Sequence, residues 1–316
     1  MLSRTADHLY WMARYTERAE NLARMLDVNY RMSLLRHDAD AMRQRWSATL
    51  SIVGQLESYG AARGEVDQDA AIDWISHARD NPGSILECLH LARDNAHAVR
   101  GTLTSETWET LNATWIEMRG FGRKRPSGAD PTDFFEWVKF RSHLARGVIQ
   151  GTMLRDEALK FTWLGTYLER ADNTARILES KYELLTPQTS DFDAAGDYYE
   201  WSALLRSVSA FEIYRKVYRD VITPRRVAEL LILRDAMPRS LLRCMTQVHD
   251  TLGVVANDQS VETQRRAGEI HAALLYGRIE DVLATGMHAW LLQFLDRIAD
   301  LGQRIAQDFL VPSSTA

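Results

Sequence analysis

The chain of 316 residues carries 38 Lys plus Arg against 43 Asp plus Glu, with 46% hydrophobic and 26% charged residues. Those proportions exclude a disordered or collagen-like chain, and a net charge of −5 spread along the sequence excludes the electrostatic footprint of a nucleic-acid binder. Two cysteines, Cys88 and Cys244, are too few for a disulfide framework and fit a reducing cytoplasm, while seven prolines leave room for long helices.

The first helix is predicted from Ser3 to about residue 35, where Leu9, Met12, Thr16, Ala19, Ala23, Leu26 and Tyr30 recur at helical spacing. Charges begin at Arg4, so no signal peptide is expected. No apolar run approaches the ~18 residues of a membrane span. A second helix is expected over 40–59, ended by Gly60. Asn81-Pro82-Gly83 is a break, after which Ser84 caps a helix reaching Gly101 and Ser105 starts another to about Met118. Residues 120–128 read as a basic, glycine-rich loop, without the Gly-Lys-Ser/Thr of a phosphate-cradling loop. Helices are expected again near Pro131 and over 157–185, 197–221, 225–235, 239–252, 261–275 and 280–309. No stretch alternates with period two. The expectation is an all-α helical bundle of about ten helices, with a frayed tail at 311–316.

An internal repeat organises the chain. Residues 11–30 and 163–182 are identical at ten of twenty aligned positions, with Glu17 on Glu169 (169 − 17 = 152). The register continues with Trp46-Ser47-Ala48 on Trp201-Ser202-Ala203 and with Tyr59 on Tyr214, both at an offset of 155. Pro82, Ser84 and Cys88 then match Pro238, Ser240 and Cys244 at an offset of 156. This implies a tandem duplication, with repeats at 1–156 and 157–310 packed as one domain. On a helical wheel Leu9, Met12, Ala19, Leu22 and Leu26 share one broad side. Asp7, Tyr10, Arg14, Glu17, Asn21 and Arg24 share the other, with Arg18 at its edge, and the second copy keeps Glu169, Arg170, Asn173 and Arg176 there.

The segments Tyr15–Arg24 and Tyr167–Arg176 both read Tyr-x-Glu-Arg-Ala-(Glu/Asp)-Asn-x-Ala-Arg. With Asn81-Pro82, Ala92-Arg93-Asp94-Asn95, Trp108-Glu109-x-Leu111-Asn112 and Pro238-Arg239-Ser240, they resemble the alpha-E family, a bacterial all-helical family named for that motif. The resemblance covers nearly the whole chain. Members are encoded beside, or fused to, circularly permuted ATP-grasp proteins and transglutaminase-like peptidases. It therefore implies an accessory or substrate-presenting component of a system that makes amide or peptide bonds. Its partners would be an ATP-grasp ligase-like protein and a transglutaminase-like protein. The chain lacks an ATP-grasp segment, so ligase activity and ATP binding are assigned to the partner.

Two other readings of the residues stand beside this one. The chain could be an enzyme acting on a peptide or amino acid through its Glu/Arg/Asn helix faces, or a purely structural helical adaptor. The ligand-binding candidates are Arg14, Glu17, Arg18, Asn21, Arg24, Glu169, Arg170, Asn173 and Arg176, with Arg14 and Arg24 read as exposed side chains suited to a carboxylate. The architectural alternative pairs Glu17 with Arg170 and Glu169 with Arg18 in a reciprocal contact. Glu87, His90, Asp94 and His97 share one helix face at a spacing used in di-iron bundles. The repeat places Arg243, Thr246, Asp250 and Gly253 there, so these four are expected to face water and no metal is assigned. Cys88 and Cys244 read as small core residues. No catalytic residue and no cofactor is assigned.

Overall fold

Fifteen α-helices and no strand occur among the residues that the computed structural model describes: 1–34, 38–121, 130–185 and 194–310. Of the loop expected over 120–128, Gly120 and Phe121 are helical instead, and 122–128 lie outside the described residues, as does the tail at 311–316. The chain divides into two compact units, His8–Thr166 and Met1–Asp7 with Tyr167–Ala316.

In the first unit, α1 (Ser3–Ser33) runs without proline or glycine. The Asp38 carboxylate caps α2 (Ala39–Ile52) by accepting from the Asp40 and Ala41 amides. The helix expected over 40–59 is broken at Gly54. There φ is +68°, the Gly54 amide donates to Ser51 O, and the Gln55 amide reaches back to Leu50 O at 2.8 Å. This is a Schellman cap, and glycine meets its left-handed requirement without a Cβ clash. After it come α3 (Leu56–Arg63) and α4 (Gln68–Ser76), both too short to announce themselves by periodicity. Trp46, Leu50, Tyr59, Ile72 and Ile75 are fully buried between them. The break at Asn81 is a built turn, in which its amide nitrogen donates to Gln55 Oε1 and Trp74 O and its oxygen accepts from the Gly83 amide.

Ser84 caps α5 (Ile85–Ala98), and α6 (Ser105–Phe121) and α7 (Thr132–Thr152) follow. The expected stripe Ile85, Leu89, Ala92, Ala96 and Val99 is buried, as is Cys88. Arg141 of α7 ties to α6 by donating to Thr114 Oγ1 at 2.8 Å and Thr110 O at 3.1 Å. The start of α8 (Glu157–Leu185) approaches α1 at Gly165, where a Cβ would overlap the Tyr10 carbonyl oxygen and lie 3.2 Å from Ala13 Cβ.

The second unit continues with α9 (Ala194–Ser207), α10 (Phe211–Tyr218) and α11 (Pro224–Leu233). Next come α12 (Leu241–Val254), α13 (Val261–Leu275), α14 (Ile279–Thr285) and α15 (Met287–Phe309). The helix expected over 197–221 is broken at Ser209, whose φ is +56°, with the Ala210 amide reaching Leu205 O at 2.7 Å. The one expected over 280–309 is broken at Gly286, with φ at +89°. These three breaks and the unforeseen α4 take the eleven predicted segments to fifteen among the described residues, above the expected ten or so: single left-handed residues end helices without any proline. Cys244 is buried in α12, as expected of a core residue. No described helix is long and apolar enough to cross a membrane.

Candidate charged seam between two helices

The side of α1 that reads as polar on the wheel is largely interior. Tyr10, Glu17, Glu20 and Asn21 are all buried, and the carboxylate-bearing side chains of Glu17 and Glu20 are 1% and 0% exposed. What faces them is α7. Glu17, Glu20, Arg24, Asp27 and Arg31 follow a three–four spacing along α1, and Glu136, Lys139, His143 and Arg146 do the same along α7. Such spacing keeps side chains on one seam between two packed helices. The two stripes run antiparallel and pair in order.

At one end Arg146 Nη1 donates to Glu17 Oε2 at 2.7 Å and also pairs with Glu20 Oε2. Arg24 Nε donates to Glu20 Oε1 at 2.8 Å, so Glu20 is held between two guanidiniums. The outer nitrogens of both arginines meet one ring: Arg24 Nη2 lies 2.7 Å from His143 Nε2, and Arg146 Nη2 lies 2.9 Å from His143 Nδ1. Farther along, Lys139 Nζ bridges Asp27 Oδ2 and Glu136 Oε1, both at 2.8 Å. Arg31 completes the row on Asp27 at 2.7 Å and Glu136 at 3.5 Å. The Asp27 carboxylate, as the hydrogen-bond partner, raises the pKa of the Arg31 guanidinium. Glu17, Glu20, Asp27 and Glu136 thus meet Arg24, Arg31, Lys139 and Arg146, four charges against four.

The other candidates are dispersed. Arg14 lies over the rings of Tyr10 and Trp11, with Nη1 3.2 Å from the Tyr10 hydroxyl, and Arg18 lies over Tyr15. Arg24 is not the exposed side chain expected: 14% of it reaches solvent, because α7 covers it. In the second unit Glu169 and Arg170 are buried and Asn173 is half-buried. Arg170 lies over Tyr167 and reaches Pro238 O at 3.5 Å, while Thr174 donates to Arg239 O at 2.9 Å. The second motif helix thereby holds the Pro238-Arg239-Ser240 turn that starts α12. Arg176 is exposed and pairs with Asp172 at 2.8 Å.

The face at Glu87, His90, Asp94 and His97 is only partly in water, since Glu87 and His90 are half-buried. His90 lies between Glu87 and Asp94 and stacks on Trp115 at 4.7 Å. Elsewhere His249 and His271 stack at 4.9 Å, and burial followed by the His249 charge lowers the His271 pKa. Among the described residues no group of three or more His, Cys, Asp and Glu side chains is arranged to hold a metal.

Of the seam residues, only Glu17 and Arg24 are candidates from sequence; Glu20, Asp27, Arg31, Glu136, Lys139, His143 and Arg146 are not. Their signal was present as heptad-like spacing of charges on two helices, a pattern sought among apolar residues only. At the offset of 156, Lys139, His143 and Arg146 fall on Leu295, Ala299 and Gly302 (302 − 146 = 156).

Comparison with known proteins agrees with the motif helices. Two relatives, Uncharacterized protein Mb2597 of Mycobacterium bovis and Uncharacterized protein Rv2567 of Mycobacterium tuberculosis, are each 25% identical over 312 residues, covering 92% of this chain. The chain spans about a third of their length, 35% in each case. No solved structure matches. Residues 1–310 match the Alpha-E family, described as a predicted alpha-helical domain with a conserved ER motif. With that motif in both α1 and α8, the chain belongs to the Alpha-E family.

Proposed function

We propose that this chain is a cytoplasmic accessory component that presents a carboxylate-bearing substrate to an ATP-grasp partner in a bacterial amide-bond-forming system. A transglutaminase-like protein would act in the same system. The observation that carries the reading is family membership over residues 1–310, joined to the length of the relatives. Their matched segment is 35% of each chain, so there the helical module is one part of a longer protein. The substrate-facing residues would come from Arg14, Glu17, Arg18, Asn21 and Arg24, with Glu169, Arg170, Asn173 and Arg176 as their repeat counterparts. Co-purification with an ATP-grasp protein tests the reading, together with calorimetric titration of the isolated chain with ATP. A stable complex and no ATP binding by the chain alone are expected. Micromolar ATP binding by the chain, or no association at high concentration, would sink it.

Tandem duplication belongs to the same proposal. It is supported by helix lengths: α2 and α9 each have 14 residues, α3 and α10 each have 8, and α5 and α12 each have 14. It is also supported by the paired Schellman breaks at Gly54 and Ser209 and by two tyrosines with one role. Tyr59 binds Glu65 O and the Asp67 amide, and Tyr214 binds Val221 O and the Thr223 amide.

A second reading, an architectural role for the motif, is favoured by the balanced charges of the α1–α7 seam. The two readings diverge at Arg14, which lies on aromatic rings rather than in the seam. Arg14→Ala should impair substrate use by the complex while changing stability by only about 0.5 kcal/mol.

A further inference from the structure

The outer side of α7 carries an apolar stripe directed away from the core. Phe140, Leu144, Gly147 and Gly151 follow at intervals of four, three and four residues, and Leu154 comes three later, just past the helix end. At 100° per residue the four helical positions fall within about 60° of one another. The buried residues Phe135, Val138, Ser142, Ala145 and Ile149 lie on the opposite side of the helix. Phe140, Leu144 and Leu154 are 64%, 36% and 77% exposed.

The two glycines are a separate observation. Gly147 and Gly151 are exposed, neither has a positive φ, and a Cβ built on either meets no atom within 4 Å among the described residues. Neither backbone conformation nor a close contact inside the described chain calls for glycine there, although glycine is a poor helix former. What a glycine provides on a helix surface is a notch, which lets a second helix approach closely.

We infer that this face of α7 is a homodimer surface, on which α7 of a second copy of the chain packs antiparallel about a twofold axis between residues 145 and 146. Phe140 stands as far before that midpoint as Gly151 stands after it, and Leu144 as far before it as Gly147 after. Antiparallel pairing therefore sets Phe140 over the partner's Gly151 and Leu144 over the partner's Gly147. The twofold repeats both contacts, as an isologous interface requires. A parallel pair in register would oppose Phe140 to itself, and a staggered parallel pair would not close.

Electrostatics permit the approach. The stripe holds no charged residue, and the arginines beside it are directed into the chain. Arg141 donates to Thr110 and Thr114 of α6, and Arg146 pairs with Glu17 and Glu20 of α1. Glu136, at the border of the stripe, pairs with Lys139. Like charges are thus not set against each other across the axis. The exposed parts of Phe140, Leu144 and Leu154 amount to on the order of 300 Å² per copy, the size of a functional surface patch on a monomer. A standard interface buries about 800 Å² per partner, so this pair associates weakly and reversibly. The inference stands apart from the substrate-presenting reading and needs no ligase partner for its test.

Sedimentation velocity of the full chain from about 5 to about 500 μM should show a monomer passing reversibly into a dimer, as expected of an interface this small. Phe140→Glu should raise the Kd at least about tenfold while leaving the helical circular dichroism unchanged. Gly151→Phe fills the notch and should weaken association equally. Adding Phe140→Ala to it exchanges the large and small positions and should bring the Kd back within about threefold of the original. Spin labels report the orientation without altering the stripe, against a background of two buried native cysteines. At a rise of 1.5 Å per residue, labels on Gln150→Cys should lie about 14 Å apart along the helices and labels on Asp133→Cys about 38 Å apart. A chain that stays monomeric at about 500 μM, or a dimer indifferent to both Phe140→Glu and Gly151→Phe, would overturn the dimer surface. Failure of the double variant to recover, or equal separations at the two labelled sites, would overturn the antiparallel pairing.

Discussion

Replacing Arg146 by methionine keeps an unbranched apolar stem and removes the guanidinium that faces two buried carboxylates. Glu17 and Glu20 are 1% and 0% exposed, and Arg146 is the cation they share. After the change Glu20 retains Arg24, while Glu17 loses its 2.7 Å partner. Breaking one side of a buried pair costs about 3–5 kcal/mol, because the remaining charge stays desolvated. The lower end applies, since 25% of the Arg146 side chain reaches water and replacement water can enter. A cost of about 3 kcal/mol at neutral pH corresponds to a Tm lowered by about 6–12 °C in a domain of this size. A surface pair gives the control. Arg176 is 47% exposed on an Asp172 that is 27% exposed, so Arg176→Met should cost less than about 1 kcal/mol. Acidification supplies a second signature, because a buried carboxylate deprived of its Arg146 bond loses that desolvation penalty once protonated. The folded variant then takes up the proton more readily than its unfolded chain, so the deficit shrinks as pH falls. Thermal and urea unfolding of both variants across pH would check this. A neutral-pH loss below about 1 kcal/mol in Arg146→Met, or a deficit independent of pH, would refute the buried-seam argument.

Three further outcomes follow from local geometry. Ser209→Gly should stabilise the protein by about 1 kcal/mol in urea unfolding, since it relieves a left-handed serine at φ +56° whose buried hydroxyl has no hydrogen-bond partner. Gly165→Ala should cost about 3 kcal/mol or more, because its Cβ would overlap the fixed Tyr10 carbonyl; a neutral effect in the same assay would contradict that close approach. Burial pushes the Tyr218 phenol up to about 12, whereas an unfolded tyrosine ionises near ~10. The folded state therefore keeps a proton that the unfolded chain gives up. Stability from this group is complete below about pH 10 and is lost as pH rises toward 12, and Tyr218→Phe should remove that component and its late-ionising tyrosinate absorbance.

The all-helical class was legible because apolar residues of α1, α5 and α12 recur at helical spacing and no segment alternates with period two. Ser84 reads as a cap from sequence and accepts the Glu87 amide hydrogen, and Ser240 caps α12 in the same way. Helix number was not legible. Gly54, Ser209 and Gly286 end helices through φ, a property that a serine at 209 gives no reason to suspect. The candidate site was half legible. The Glu-Arg motif directs attention to Glu17 and Arg24, but a wheel drawn for one helix cannot tell solvent from a charged partner helix. Glu20 and Arg146 needed the facing stripe of α7 to be seen as a pair of buried partners.

The contrast between the halves bears on which part of the motif can act. Glu20–Arg24 and Asp172–Arg176 are both pairs four residues apart on one helix, so this element is helix-local and present in each half. The first pair is overlaid by Arg146 and His143 from α7. In the second half the corresponding positions are Ala299 and Gly302, and the space beside Gly302 is met by Leu168 Cδ2 at 3.4 Å from a Cβ built there. An apolar contact of that kind has no outward-facing donors. In the second unit the Arg176 guanidinium donates twice to Asp172, at 2.8 and 3.1 Å. In α8 the motif forms its helix-local pair and holds the 238–240 turn through Arg170 and Thr174.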